Sequence, residues 1–224
     1  LNALVAFISG GVMGLIGNFL VNFYSSMLSI PTSDASVFIL RGYAGTGKTT
    51  MVKVVADYIT QSRQLTMMAP TGRAARVLAM KTGHTATTIH KAIYSKAHVE
   101  PKKVKNIAES EFKFVFSINN SENGGNIVAI VDEASMVCSR KIEHELFMFG
   151  TDNLMEDLLT FVRPNFGGKV IFVGDPAQLP PVGEPDSNAL RANYFQKKGL
   201  KAVDAELTEV LRQKGNSIIL KNAM

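Results

Sequence analysis

The chain has 224 residues, of which 46% are hydrophobic and 19% are charged, as in an ordinary globular α/β protein long enough to bury one core. Its one cysteine, Cys138, excludes an internal disulfide and fits a reducing compartment, so we expect a cytoplasmic protein. The formal net charge is +5, and residues 61–125 hold ten lysines and arginines against four glutamates, which makes that stretch +6. A solvated face and a polyanion partner both remain open for it.

The first thirty-three residues carry no charged side chain. Residues 1–24 have the length and hydropathy of a membrane span. Asparagines and glycines interrupt this stretch, however, and no lysine or arginine marks an inside end. We favour one or two buried helices in an apolar segment over residues 1–36 that packs on the core. A membrane anchor is the less favoured alternative, because an α/β core follows directly.

Residues 37–49 then read VFILRGYAGTGKT. The apolar start predicts a buried strand, and residues 49–59 carry apolar side chains at helical spacing. Between them stands G-x-x-x-x-G-K-[ST], the phosphate-binding loop in the strand–helix context that it needs. Lys48 is placed to reach the β- and γ-phosphates, and the Thr49 hydroxyl to ligate Mg²⁺. A glycine-rich turn that binds nothing is the alternative.

The loop therefore predicts a nucleoside triphosphate, ATP, and Mg²⁺ as cofactors. Backbone N–H groups that turn inward and the start of the following helix would hold the phosphates. The residues expected to bind the nucleotide are Gly42, Ala44, Gly45, Thr46, Gly47, Lys48, Thr49 and Thr50.

Further elements follow in chain order. Residues 64–69 predict a second strand, residues 74–80 a helix, residues 83–88 a turn and residues 89–94 a short amphipathic helix. Residues 95–125 are polar and basic, with one strand-like run at 112–118, and predict a short insertion that leaves the main sheet rather than a separate domain.

Residues 127–131 (IVAIV) form a continuous apolar run that is typical of a central parallel strand. Asp132 and Glu133 follow it, where open α/β sheets place their ligands. Because adjacent strand residues point oppositely, we expect Asp132 to hold Mg²⁺ and Glu133 to polarise the attacking water. A helix N-cap is the alternative role for the aspartate.

Residues 136–166 look mainly helical, and residues 169–173 predict another buried strand. The following stretch, residues 174–183 (GDPAQLPPVG), contains three prolines that forbid regular structure and so stiffen the loop around Gln178. An amide there can bond both a γ-phosphate oxygen and the attacking water. A rigid surface turn is the alternative. Residues 207–213 predict a helical turn with an exposed Arg212.

Together these stretches resemble the superfamily-1 DNA helicases of the RecD type, including the exonuclease V alpha subunit. The string over residues 173–183 is more specific than the phosphate loop, which many ATPases share. The resemblance covers residues 37 to about 220, and its motifs occur in the family's order: 42–49, 69–75 with 88–91, 131–135, 173–183, and 207–208 with 212–213.

This resemblance implies an α/β, RecA-like P-loop NTPase domain over residues 37–224, with a mostly parallel sheet and helices on both faces. It implies ATP hydrolysis coupled to 5′-to-3′ movement on single-stranded DNA. Lys48, Glu133 and Gln178 would act in catalysis, with Arg212 on the γ-phosphate. Residues 95–125 would take the place of the family's strand-separating insertion. The DNA contacts would be Pro70, Thr71, Arg73 and His90.

The chain departs from the family in two ways. Such helicases place an adenine-reading glutamine before the first motif, but residues 1–36 contain no glutamine. The chain also ends before any second RecA-like domain, so we expect a fragment whose partner half completes the ATP cleft. Alone it should hydrolyse ATP poorly. A small-molecule kinase and a non-catalytic nucleic-acid-binding module are the rival interpretations.

Overall fold

The structure, a computed structural model, describes residues 34–101, 112–119 and 126–207. Most of the apolar segment at 1–36, part of the basic insertion and Arg212 lie outside these ranges. From Ala35 onward the described residues belong to one compact unit. Within the described ranges, no helix combines the length and the hydropathy needed to cross a membrane.

Five helices and nine strands are numbered here in chain order within the described ranges. They are β1 (Val37–Gly42), α1 (Lys48–Ile59), β2 (Gln64–Ala69), α2 (Gly72–Thr82), β3 (Ala86–Thr88), α3 (Ile89–Ile93), β4 (His98–Pro101), β5 (Phe112–Phe116), β6 (Ile127–Val131), β7 (Phe147–Phe149), α4 (Leu154–Val162), β8 (Lys169–Gly174), α5 (Ala192–Gln196) and β9 (Ala202–Leu207).

Six of the strands form one sheet in the order β3-β2-β6-β8-β1-β9. Every pairing in this sheet is parallel. Because parallel neighbours cannot be joined by a tight turn, helices and loops must cross between the strands. The predicted mostly parallel α/β sheet is therefore confirmed.

The central strands are covered on both faces. Every residue of β6 and of β8 is buried, so side chains that alternate between the two faces all avoid water. On one face Ile39 joins a cluster with Leu158 of α4 and Phe172, which stacks on Phe195 with ring centroids 5.2 Å apart. Burial of one such side chain contributes about 1.5–3 kcal/mol. The buried sheet and the side chains packed on it therefore hold the ends of the strands in fixed positions.

A second, three-stranded sheet has the order β4-β5-β7. β4 pairs antiparallel with β5, and β5 pairs parallel with β7. Phe116 stacks on Phe149 with ring centroids 4.5 Å apart. Nearby, the Tyr94 hydroxyl donates to the buried Asp157 carboxylate at 2.6 Å and so ties the end of α3 to α4. The strand-like run that the sequence predicts near residue 112 therefore pairs outside the main sheet.

Two expectations about local structure are wrong. Residues 136–166 are not mainly helical, because helix occurs only in α4 and a short 3₁₀ turn at Pro164–Phe166, while β7 lies in the same stretch. Gly150 and Asp152 have φ of 52° and 62°, left-handed values that a right-handed helix cannot pass through. The turn predicted at 83–88 contains β3, because pairing with β2 outweighs the local preference for a turn. Leu207 ends β9, and the remainder of the helical turn predicted at 207–213 lies outside the described ranges.

Candidate nucleotide-binding site

Three neighbouring strands, β6, β8 and β1, end at one edge of the sheet. Val131 of β6 is level with Phe172 of β8, and Gly174 of β8 is level with Arg41 of β1. Neighbouring strands lie about 4.8 Å apart, so the two strands flanking β8 are separated by about 10 Å. The loops that follow these strands must meet at this edge, where open α/β sheets bind ligands.

The loop after β1 is shaped by its glycines. Gly45 and Gly47 have φ of 86° and 88°, values that side chains disfavour. A Cβ added to Gly42 would lie 2.7 Å from the Thr46 hydroxyl oxygen, so this position has no space for a side chain. Thr46 is buried, and its hydroxyl donates to the Tyr43 carbonyl at 2.9 Å to close the turn. Thr46 therefore shapes the loop as well as bordering the expected phosphates.

Helix α1 begins without a side-chain cap. Its N-cap residue is Gly47, and its first turn contains no acidic residue. By contrast, the Thr71 hydroxyl caps α2, and the Asn153 side chain caps α4. Gly47 offers no side chain to cap the first N–H groups of α1, and together with the helix dipole these groups suit an anion.

Lys48 connects the loop after β1 to the loop after β8. Its ammonium group donates to the Gly42 carbonyl and, at 2.9 Å, to the Tyr43 carbonyl. It also lies 3.9 Å from the buried carboxylate of Asp175, the first residue after β8. The other oxygen of Asp175 accepts from the Ala177 N–H at 2.9 Å. The cation is therefore held at the phosphate loop between polar partners.

Asp132 and Glu133 lie beyond the end of β6. The Asp132 N–H donates to the Met68 carbonyl at 2.9 Å. Glu133 has a left-handed backbone with φ of 51°, an uncommon conformation that is concentrated at functional sites. Both carboxylates line the same pocket. Because β6 ends at Val131, strand alternation does not set the directions of these two side chains, and the backbone turns at Glu133.

Residues 174–183 form what we call the proline loop. Near its middle, the Gln178 side-chain oxygen accepts a hydrogen bond from the Ser135 hydroxyl at 2.9 Å. Ser135 comes two residues after Glu133 and is buried. Because Ser135 occupies the amide oxygen, the amide nitrogen of Gln178 is left to donate within the site.

One pocket of about 390 Å³ is lined by residues of α1, of α2 and its cap, of the stretch after β6 and of the proline loop. Thr49 is the only one of the expected nucleotide-binding residues that lines it, and α2 contributes two cations, Arg73 and Lys81. The residues that line this pocket are Thr49, Thr71, Arg73, Ala74, Val77, Lys81, Asp132, Glu133, Met136 and Gln178. The structure therefore brings together residues that are more than 120 positions apart in the sequence.

The pocket offers oxygen ligands that fit Mg²⁺. The Thr49 hydroxyl and the Asp132 carboxylate both line it, and hard divalent cations prefer such donors. Across the described ranges, no group of three or more His, Cys, Asp or Glu residues could hold a metal by itself. A magnesium ion here would rely on nucleotide phosphate oxygens and water for its remaining ligands.

The electrostatic setting of Asp132 is mixed. Burial raises the pKa of Asp132 above its ordinary value of 3.8, and the charge of Glu133 acts in the same direction. The Glu133 N–H and the positive charges of Lys48 and Lys81 oppose this shift but do not cancel it. A cation at this carboxylate would favour its ionised form and displace the proton.

This setting predicts pH-dependent binding of a magnesium nucleotide. Protonated Asp132 cannot ligate the metal, so as the pH is lowered from 7 towards the ordinary carboxyl range we expect affinity to fall at a higher pH, and more steeply, than nucleotide protonation and a carboxyl of ordinary pKa explain. The measurement is titration with a fluorescent ATP analogue and Mg²⁺ across this range. Asp132→Asn is the matched control. This variant should bind the nucleotide more weakly, and its affinity should change with pH only as protonation of the nucleotide requires. Equal slopes for the two proteins would contradict the prediction.

The four expected DNA contacts fall into two groups. Thr71 and Arg73 line the pocket, and the Thr71 hydroxyl accepts from the Ala74 N–H at 3.2 Å as the cap of α2. Pro70 and His90 are not among the lining residues. The His90 ring lies edge-on to Phe149 with centroids 5.4 Å apart. Partial burial lowers the pKa of His90, and His144 lowers it further, so the ring is neutral at pH 7.

Sequence reasoning did not single out Asp175, Ser135 and Lys81. Asp175 follows a buried strand as Asp132 does, and this signal could have identified it. Ser135 and Lys81 carried no such signal, because their places depend on how the proline loop and α2 pack. Arg212, the remaining expected catalytic residue, lies outside the described ranges.

Comparison with known proteins places residues 25–223 in the family described as the AAA domain. Over 186 residues the chain is 33% identical to the ATP-dependent RecD2 DNA helicase of Deinococcus radiodurans, a match that covers 83% of this chain and 21% of that protein. It is 29% identical to the ATP-dependent DNA helicase Dda of phage T4, covering 77% of this chain and 34% of that one. The chain thus spans between a fifth and about a third of the length of these two relatives.

Among solved structures, the Pif1 helicase of Candida albicans matches with a TM-score of 0.52 and 22% identity. That match covers 88% of this chain and 41% of the Pif1 chain, and at this identity it shows the fold alone. The phosphate loop, the parallel strand order and the family match agree with one another. The chain is a RecA-like P-loop domain and belongs to the AAA-domain family.

Proposed function

We propose that the chain is the ATP-binding motor domain of a DNA helicase or translocase. The observation that carries this proposal is that Thr49 of the phosphate-loop motif, the acidic pair and Gln178 line one pocket at the carboxyl edge of the sheet. Lys48 of the same motif does not line that pocket, but its ammonium group lies 3.9 Å from Asp175 at the start of the proline loop. ATP hydrolysis would drive movement along single-stranded DNA. The similarity to RecD2 and Dda supports helicase activity over other uses of a P-loop.

The proposed roles of the residues are supported by their positions. The uncapped start of α1 and the ammonium group of Lys48 would bind the β- and γ-phosphates. Thr49 and Asp132 would hold Mg²⁺, which supplies charge stabilisation at the phosphates when bound. Glu133 would accept a proton from the attacking water, and the Gln178 amide would orient that water.

The wider roles rest on the family resemblance. We propose single-stranded DNA as the partner, with Pro70, Thr71, Arg73 and His90 along its backbone and movement in the 5′-to-3′ direction. A second RecA-like domain would close over the nucleotide, as in an exonuclease V alpha-type helicase, and Arg212 would contact the γ-phosphate. Because His90 is neutral at pH 7, it would meet a phosphate as a hydrogen-bond donor rather than as a cation.

The proposal is tested by measuring ATP hydrolysis by the full-length protein with and without a single-stranded oligonucleotide. We expect DNA to stimulate turnover, and we expect a 5′-tailed duplex to be unwound in preference to a 3′-tailed one. Hydrolysis that ignores DNA, together with phosphate transfer to a small molecule, would favour the kinase interpretation. Preference for the 3′-tailed duplex would overturn the proposed direction alone.

A further inference from the structure

A buried carboxylate holds the far end of the proline loop. Glu184 directly follows that loop and is 7% exposed. Its Oε1 accepts from the Ser139 N–H at 2.6 Å, the Cys138 thiol at 2.9 Å and the Arg140 N–H at 3.3 Å. Its Oε2 accepts from the Ser139 hydroxyl at 2.7 Å and the Asn188 amide at 3.4 Å. Five donors from two chain segments therefore converge on one side chain.

These donors match the ionised carboxylate. Burial opposes ionisation of Glu184, but the hydrogen bonds from Cys138, Ser139 and Arg140 outweigh it and lower the pKa. Burial and the neighbouring carboxylate raise the pKa of Cys138, so its thiol remains a donor. An ionised carboxylate only accepts hydrogen bonds, and bonds to a charged acceptor are stronger than neutral ones. Glu184 thus binds the segment 138–140 firmly.

That segment begins a few residues after Glu133. Between them, the Ser135 hydroxyl bonds Gln178, and the Ala134 carbonyl accepts from the Ser187 hydroxyl at 3.4 Å. Hence the stretch 134–140 and the stretch 178–188 are joined at several points. One stretch starts directly after the proposed general base, Glu133, and the other contains the proposed water-orienting amide of Gln178.

Gly183, the last residue of the proline loop, lies beside the Arg140 side chain. Gly183 has φ of 79°, and a Cβ there would lie 2.5 Å from the Arg140 guanidinium. At the tip of the loop, Leu179 and Val182 are 86% and 93% exposed, so these two side chains add little apolar burial to hold it. The polar contacts at Ser135 and Glu184 therefore connect the proline loop, and with it Gln178, to residues 134–140.

We propose that Glu184 is a positioning residue that sets the Gln178 amide relative to Glu133 by locking the proline loop onto segment 134–140. This inference rests on the proposed function, because the geometry that it fixes is that of ATP hydrolysis. Glu184 does not line the pocket, so it acts through Gln178 rather than on the nucleotide.

The first test is steady-state ATP turnover by full-length Glu184→Gln at a temperature where it is folded. The glutamine NH₂ group would face the N–H, S–H and O–H donors that now bond the carboxylate, so the proline loop should shift. We therefore expect kcat to fall by about 10- to 100-fold with little change in KM. Glu184→Asp keeps the charge and should recover part of the loss. Asp186→Asn is the matched control, because that half-exposed carboxylate pairs with Arg191 at the surface. Its kcat should equal that of the wild type.

A double-mutant cycle separates positioning from general loss of stability. In a Gln178→Ala background, Glu184→Gln should cause no further decrease in kcat, since its effect passes through Gln178. Decreases that multiply, or a loss that disappears when the assay is cooled, would overturn the proposal.

Amide hydrogen exchange tests the contact between Glu184 and residues 138–140 without an assay of ATP turnover. Glu184→Gln should increase amide exchange in residues 134–140 and in the proline loop, while Asp186→Asn should not. Unchanged exchange would overturn the inference even in an active enzyme. If the wild-type protein fails to hydrolyse ATP, the proposed function fails, and the exchange result still decides whether Glu184 holds the loop.

Discussion

Replacing Glu133 with glutamine should leave nucleotide binding intact and remove most ATP turnover. Glutamine keeps the size and the acceptor oxygen of the side chain, but it cannot take a proton from the attacking water. General-base catalysis contributes about 10²- to 10⁴-fold, and we expect kcat to fall within that range. The measurement combines steady-state turnover of the full-length protein on single-stranded DNA with the dissociation constant of a fluorescent ATP analogue.

Glu143→Gln is the matched control for this prediction. Glu143 is an exposed carboxylate that pairs with Lys141 at 3.0 Å. Its replacement therefore tests the effect of removing a surface negative charge alone. We expect this variant to turn over ATP like the wild type. A Glu133→Gln protein that keeps nearly full activity would show that another group accepts the proton. One that no longer binds the nucleotide would assign Glu133 to binding instead.

Replacing Lys48 with alanine should weaken nucleotide binding and abolish measurable hydrolysis. A hydrogen bond from a charged group contributes roughly 1.5–3 kcal/mol, which corresponds to about 10- to 100-fold in affinity. The substitution also removes the ammonium group that bonds the Gly42 and Tyr43 carbonyls and faces Asp175. The loop therefore loses both its contact with the phosphates and part of its own support. Titration with the fluorescent analogue and the turnover assay measure the two effects.

Lys53→Ala provides the control on the same helix. Lys53 is half-exposed and pairs with Asp57 at 3.2 Å, one turn further along α1. Surface ion pairs of this kind contribute about 0–1 kcal/mol, so affinity and turnover should stay close to wild type. Equal losses in both variants would point to a damaged helix, and binding unaffected by Lys48→Ala would end its assignment to the phosphates.

Local patterns predicted the parts of the site that depend on a short stretch of chain. The phosphate loop needs only a strand, three glycines and a helix start, and all of these occur within residues 37–59. The acidic pair and the proline loop were each placed correctly after a buried strand, since continuous apolar runs of that length indicate a covered sheet. The same reasoning was wrong for residues 136–166, where left-handed residues and β7 interrupt the expected helix.

The amino-acid sequence by itself determined which residues could bind a triphosphate, because glycine, lysine and carboxylate chemistry is local to each motif. Only the tertiary structure decided that these motifs share one pocket. The shared pocket depends on β8 lying between β6 and β1. Because β1 and β8 are more than 120 residues apart, no local sequence pattern predicts that they pair. Tertiary packing likewise determines the turn at Glu133 and the hydrogen bonds of Glu184 to segment 138–140. Each of these features needs partners from a distant part of the chain.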